Sequence, residues 1–233
     1  MPSVFISRNL KPNSPFHELG KEWQITAESL LDFTPVSIAE APAADWYFFY
    51  SSKGVEFFLA QREPSPGVRL ACLGKGAARV LRDHGYTPDF IGDGNPAITA
   101  DQWLKEVVGK SEGGGRKSVV FMQARQSRAS VQQLLGDEIE AHPLVVYDNQ
   151  IRANFELPQT DYLIFTSPLN FEAYQEHMPL DAKQRIIGIG STTAVTFSAA
   201  AVKEYRIATT PSEAGLVECL LDWEQTQPIE AVE

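Results

Sequence analysis

The chain has 233 residues, 43% of them hydrophobic and 21% charged, and a formal net charge of −10. That length accommodates one large domain or two lobes of about 100 residues, each able to bury a core, and the composition excludes disordered, collagen-like and coiled-coil classes. The negative balance argues against a general nucleic-acid binder, which needs clustered Lys and Arg. An anionic ligand would have to be held by local Arg, Lys or helix N-termini working against the global field.

In chain order, the opening MPSVFISRNLK offers only Val4, Phe5 and Ile6 before Arg8, too little for the apolar region of a secretory signal. No run approaches the roughly 18 apolar residues of a membrane span. Cys72 and Cys219 lie far apart among apolar residues, which suits reduced thiols better than a disulfide framework; a cytoplasmic protein is expected, with no membrane association. Apolar runs of about five residues recur at 4–7, 46–50, 69–73, 118–122, 144–147, 162–166 and 185–189. Unbroken by polar alternation, they predict strands covered on both faces. Helical stretches fall between them at 53–61, 77–84, 100–108, 130–139, 169–177, 192–202 and 212–223. Strands alternating with helices imply parallel sheets and an α/β architecture. Gly113, Gly114 and Gly115 predict a surface turn before the strand at 118–122.

The octets DWYFFYSS (45–52) and DYLIFTSP (161–168) begin an ungapped internal repeat. Asp45 matches Asp161, Phe49 matches Phe165, Ser51 matches Ser167, Glu56 matches Glu172, Arg69 matches Arg185, Gly74 matches Gly190 and Ala78 matches Ala194, each pair offset by 116. The shared order of strand, hydroxyl, helix, strand, glycine, helix implies two similar α/β lobes rather than a solenoid. In each octet a strand ends in a hydroxyl and runs straight into a helix, so Ser51 and Ser167 stand where a side chain caps free backbone N–H groups, and Pro168 suits the first helical position. The second turns, Gly74-Lys75-Gly76-Ala77 and Gly190-Ser191-Thr192-Thr193, repeat the arrangement with glycine. Such turns lie at the carboxyl ends of parallel strands, where ligands bind; they also serve as ordinary helix caps, and the two readings stand side by side.

These residues carry a resemblance. VFISRN, DFTPVSI, DWYFFYSS with KGVEFFL, RLACLGKGAARVLRDHGYTPDFIG, VVYDN, DYLIFTSPLNFEAY, IIGIGSTTAVTF and TPSEAGLVECLLDW, in that order and spacing, resemble the uroporphyrinogen-III synthase family of tetrapyrrole and heme biosynthesis over nearly the whole chain. The resemblance implies two Rossmann-like or flavodoxin-like lobes with parallel sheets joined by a two-strand linker, the crossings falling near 30–38 and 141–155. Lobe one would be discontinuous, 1–33 with 150–233, and lobe two 34–149. It also implies an enzyme, a lyase that closes linear hydroxymethylbilane to uroporphyrinogen III with loss of water and inversion of the last ring, acting as a monomer; no cofactor and no metal are expected. Spontaneous closure yields the other isomer, so the task is chiefly to hold a flexible polycarboxylate in one geometry, with an acid near the leaving hydroxyl.

Site roles follow from the same resemblance. Tyr147 matches the tyrosine of the second linking segment and is the candidate proton donor, or else a packed linker aromatic. Ser51, Ser167, Ser191, Thr192 and Thr193 would hold substrate carboxylates with adjacent N–H groups. Lys53 and Arg185 match basic positions at the cleft edge, and Arg8 the basic residue after the first strand; Lys53 and Arg8 also read as solvated charges. Ala77 stands where the family's hydroxyl is expected in the first lobe, leaving the grip there to backbone N–H groups and Lys75. Arg125 and Arg128 are cleft candidates or solvated helix-start residues.

Sharper motifs fail. GIGSTT and GKGAAR carry Thr193 and Arg79 at the third glycine's place of the dinucleotide fingerprint, Leu104 occupies the first glycine of a P-loop ending at Gly109-Lys110-Ser111, and the four histidines show no ligand spacing. No G-x-S-x-G elbow supports a hydrolase, and the acidic run at 137–140 reads as a solvated face. A rival reading is a non-catalytic two-lobed protein that binds a small anion or regulates through it.

Overall fold

The computed structural model describes residues 1–109, 115–227 and 229; Gly113 and Gly114 of the expected turn, and Lys110 and Ser111, lie outside the described residues. The chain runs β1 (Ser3–Ile6), a 3-10 segment (Pro15–Glu22), β2 (Gln24–Ala27), β3 (Leu31–Pro35), β4 (Trp46–Phe49), α1 (Ser52–Leu59), β5 (Arg69–Cys72) and α2 (Lys75–Asp83). It continues as β6 (Phe90–Ile91), α3 (Pro96–Trp103) extended by a π-turn (Leu104–Val108), β7 (Lys117–Ala124), α4 (Ser130–Leu135) and β8 (Ile139–Ile151). The last third is β9 (Tyr162–Phe165), α5 (Pro168–His177), β10 (Arg185–Gly188), α6 (Ser191–Ala199), β11 (Tyr205–Ile207) and α7 (Glu213–Thr226). Every apolar run became a strand. β2, β6 and β11 went unforeseen because they are two to four residues long and carry polar or half-buried side chains. The helix expected over 130–139 stops at Leu135, where Gly136 takes φ 49°, and β8 starts at Ile139.

The chain divides into two compact units, residues 1–32 with 150–233 and residues 33–149, and β3 and β8 carry it from one to the other. The first unit holds a five-stranded sheet of order β11-β10-β9-β1-β2, with every neighbouring pair parallel. Counted within the unit this is 5-4-3-1-2, the flavodoxin-like order, whose switch point lies between β1 and β9. The second unit holds a six-stranded sheet of order β3-β8-β7-β4-β5-β6, parallel from β8 to β6. From β4 onward its order is that of a Rossmann half, with the switch point between β4 and β7.

Both faces of each sheet are covered, which is why the strands read as continuous apolar runs. In the first unit Val4, Ile6, Ile164 and Ile187 pack with Leu216, Leu220 and Trp223 of α7. On the other face Phe165 meets Phe171 and Phe197 edge-on. In the second, Phe49, Cys72 and Met122 face Val55, Phe58, Ala78 and Leu81 of α1 and α2. Trp46, Phe48 and Phe121 face Trp103, Val131 and Leu135 across the sheet. Trp103 is fully buried, with ring centroids of Trp46 and Phe90 at 4.9 and 5.1 Å. Among the described residues no helix is long and apolar enough to cross a membrane.

The repeat found in the sequence is also a repeat of structure. Shifting β4, β5 and α2 by 116 residues reproduces the bounds of β9, β10 and α6, and the caps Ser51 and Gly74 land on Ser167 and Gly190. Close approach of α7 to the chain before it depends on Gly215, where an added Cβ would run into the carbonyl oxygen of Thr210. Gly215→Ala should therefore destabilise the protein by about 2 kcal/mol, the usual cost of overpacking against backbone, read as a lower midpoint of urea unfolding.

Candidate functional site

In the second unit, β4 ends at Phe49 and the chain enters α1 through Ser51, whose extended backbone lets its Oγ accept from the Gly54 N–H at 3.0 Å. The same oxygen lies 3.2 Å from the phenol oxygen of Tyr147 on β8. A bulge brings the two together. At Gln123/Ala124 the β7–β8 register shifts, so that Ala124 pairs with Tyr147, and both Val146 and Tyr147 join the core on the α1 side although strict alternation would send one of them away. The Tyr147 ring stacks on Phe57 of α1 at 5.3 Å and 14° and touches Phe33 of β3 at 6.2 Å. Only 8% of Tyr147 is exposed. Burial pushes its phenol up from the ordinary value while the Ser51 hydrogen bond pulls it back, so it stands protonated at neutral pH.

Lys53, in the first turn of α1, holds its ammonium 5.6 Å above the Phe33 ring and pairs with Glu56 at 2.8 Å. Arg125, just beyond β7, donates its backbone N–H to the Tyr147 carbonyl and its Nε to the Asp148 carboxylate at 3.1 Å. Lys75 opens α2 and is exposed. A Cβ placed at Gly76 would come within 3.3 Å of Ser52 Oγ, so the two helix openings adjoin. Ser51, Lys53, Lys75, Arg125 and Tyr147 thus share the carboxyl edge of one sheet. Arg128 is exposed a few residues on.

The first unit repeats this edge with different chemistry. Ser167 caps α5, its Oγ accepting from the Asn170 N–H at 3.3 Å and from Asn170 Nδ2 at 2.9 Å, while Asn170 Oδ1 accepts from the Leu30 N–H at 3.0 Å. At the switch point the Thr166 N–H donates to Ser7 Oγ and the Thr166 hydroxyl to the Ser7 carbonyl, both at 2.9 Å. Arg8 follows β1 and pairs with Glu213, in the first turn of α7, at 3.1 Å; the other Glu213 oxygen accepts from Ser14 Oγ at 2.6 Å. Ser191 and Thr192 are exposed at the start of α6.

Two expected site residues stand elsewhere. Thr193 is 1% exposed, turned into the unit, and its N–H is taken by the Gly190 carbonyl, which leaves neither group for a ligand. Arg185 is the first residue of β10, at the amino end of the sheet, opposite to Ser167 and Ser191. Its guanidinium lies over Tyr162 and Trp223, donates to the Tyr162 hydroxyl and pairs with Glu224 at 3.5 Å. Its match to Arg69 reflects the repeat: Arg69 also opens its strand and lies over Trp46 at 5.1 Å. Ser7, Thr166, Asn170, Glu213, Phe33 and Phe57 escaped the sequence reading. A hydroxyl directly after each of the two apolar runs VFI and LIF was the one available signal for Ser7 and Thr166.

The structure thus consists of two doubly wound α/β units whose sheets end in capped helix openings, one of them beside a buried phenol. The family model described as uroporphyrinogen-III synthase HemD matches residues 21–218, and the chain belongs to that family. Among solved structures it is similar to a uroporphyrinogen-III synthetase from Helicobacter pylori, with TM-score 0.70 and 21% identity over 95% of this chain and 99% of that one. It is also similar to a mutant uroporphyrinogen III synthase from the extremely thermophilic bacterium Thermus thermophilus, with TM-score 0.61 and 16% identity over 97% and 100%. No curated protein matches the sequence.

The capping part of Ser167's role has a measurable size. Ser167→Ala should cost about 1 kcal/mol in urea unfolding, and Ser167→Gly only a few tenths, as expected for an N-cap.

Proposed function

We propose that the protein is a lyase that converts hydroxymethylbilane to uroporphyrinogen III and water, inverting the last pyrrole ring, and that it does so as a cytoplasmic monomer. The observation that carries the catalytic part is Tyr147: a protonated, nearly buried phenol packed against two aromatic rings and hydrogen-bonded to the cap of α1 at the carboxyl edge of the sheet. Its proton goes to the departing hydroxyl, which leaves as water, and the bilane becomes an azafulvenium cation. Attack by the substituted carbon of the last ring, rearrangement and closure then release a proton that restores the phenol. The net change is loss of one water.

The substrate's carboxylates go to the helix openings. Ser51, Ser167, Ser191 and Thr192, with the first-turn N–H groups around them, offer donors at the positive ends of α1, α5 and α6, while Lys53, Lys75, Arg8 and Arg125 supply charge. Arg8 and Arg125 already face Glu213 and Asp148, so those two carboxylates tune the attraction for a polyanion in an already negative chain. Thr193 and Arg185 have no part in this grip. The lobe boundaries 1–33 with 150–233, and 34–149, are supported by the division into compact units. Free Cys72 and Cys219 suit a reducing compartment.

The test is product analysis. With enzymatically generated hydroxymethylbilane the protein should yield isomer III over the spontaneous isomer I after oxidation and separation; isomer I alone would defeat the proposal. Tyr147→Phe should lower kcat by about a hundredfold, a typical acid contribution, with KM little changed. The phenol must be protonated to act, and burial holds its pKa above the ordinary value. Activity should accordingly persist through neutral pH and fall only on the alkaline side.

A further inference from the structure

The two serine caps are equivalent in the repeat but differ in what their oxygens bind. A serine hydroxyl has one hydrogen to donate and two lone pairs to accept with. Ser167 Oγ accepts twice, from the Asn170 N–H and from Asn170 Nδ2. Ser51 Oγ accepts once within its cap, from the Gly54 N–H, and then meets the phenol of Tyr147. That contact has two possible polarities. Were the phenol to donate to Ser51, its hydrogen would be held inside the protein and could not reach a leaving group. With Ser51 donating, the phenolic hydrogen is free to be transferred.

We propose that Ser51 is a positioning residue for Tyr147, its hydroxyl donating to the phenol oxygen so that the phenolic hydrogen points outward and the phenolate formed on transfer stays hydrogen-bonded. This rests on the reading of Tyr147 as the proton donor and changes the role of Ser51 from carboxylate binder to partner of the acid. Three features converge on it. The Phe57 and Phe33 contacts fix the ring plane, so the phenol oxygen cannot swing away from Ser51. Burial penalises the phenolate, and the Ser51 hydrogen bond is the interaction that offsets it. Finally, the donor sits on the N-terminal turn of α1, whose dipole favours negative charge. The charged groups on the elements packed against Tyr147 are Lys53 and Glu56 of α1, Asp32 of β3, Lys117 of β7, Glu140, His142 and Asp148 of β8, and Arg125 beyond β7. Lys53 and Glu56 pair with each other, as do Arg125 with Asp148 and His142 with Glu140.

The experiment compares Ser51→Gly, Ser51→Ala and Ser51→Thr in the full chain, with and without Tyr147→Phe, measuring kcat, KM, the pH dependence of kcat and urea unfolding. Glycine is tolerated at an N-cap at little cost, so Ser51→Gly removes the hydroxyl while sparing the helix. Ser51→Gly and Ser51→Ala should each lower kcat about tenfold with KM within about twofold. Because Ser51 favours the phenolate, its loss should move the alkaline fall in kcat to higher pH, and Ser51→Thr should restore both. In the Tyr147→Phe background Ser51→Gly should have no further effect. A raised KM with an undiminished effect in that background would make Ser51 a substrate ligand and overturn the proposal, as would a full-rate Ser51→Gly. Failure of the Tyr147 reading shows separately, as a Tyr147→Phe enzyme with wild-type kcat.

Discussion

Strands buried on both faces can place polar side chains only at their ends. The interior residues of β4, β5, β7, β9 and β10 are mostly apolar and packed against helices above and below the sheet. Polar and charged groups collect where the strands begin and stop, and in a parallel sheet the stops lie along one edge. The helix that follows must begin there too, with unsatisfied N–H groups that a serine or glycine turn accommodates. Core burial and the line of capped helix openings are consequences of the same constraint.

Duplication supplies two such edges and divergence gives them different chemistry. Both caps keep the serine and both second turns keep the glycine. The second unit adds an aromatic stack around Tyr147, whereas the first adds the Ser7–Thr166 and Arg8–Glu213–Ser14 networks.

What was legible in the residues follows interaction range. Strands such as β4 and β9 showed because a buried run needs no partner to be recognised, and the caps Ser51 and Ser167 because capping acts within three residues. Arg185 stands at the amino end of its strand: identity between repeats can mark a shared structural duty, here the stacking of an arginine on a tryptophan. The burial of Thr193 was not legible because a hydroxyl in a helix's first turn can face either way around the axis, and only tertiary packing turns it inward.

By itself the sequence determined the α/β class, the twofold repeat and its serine and glycine turns, since periodicity, apolar runs and caps are properties of neighbouring residues. Only the tertiary structure decided that Tyr147 meets Ser51 across 96 positions of chain. That contact depends on β7 lying between β8 and β4 and on a bulge that turns Tyr147 toward α1. Strand order and bulge placement are settled by packing among distant segments, and no local pattern encodes them.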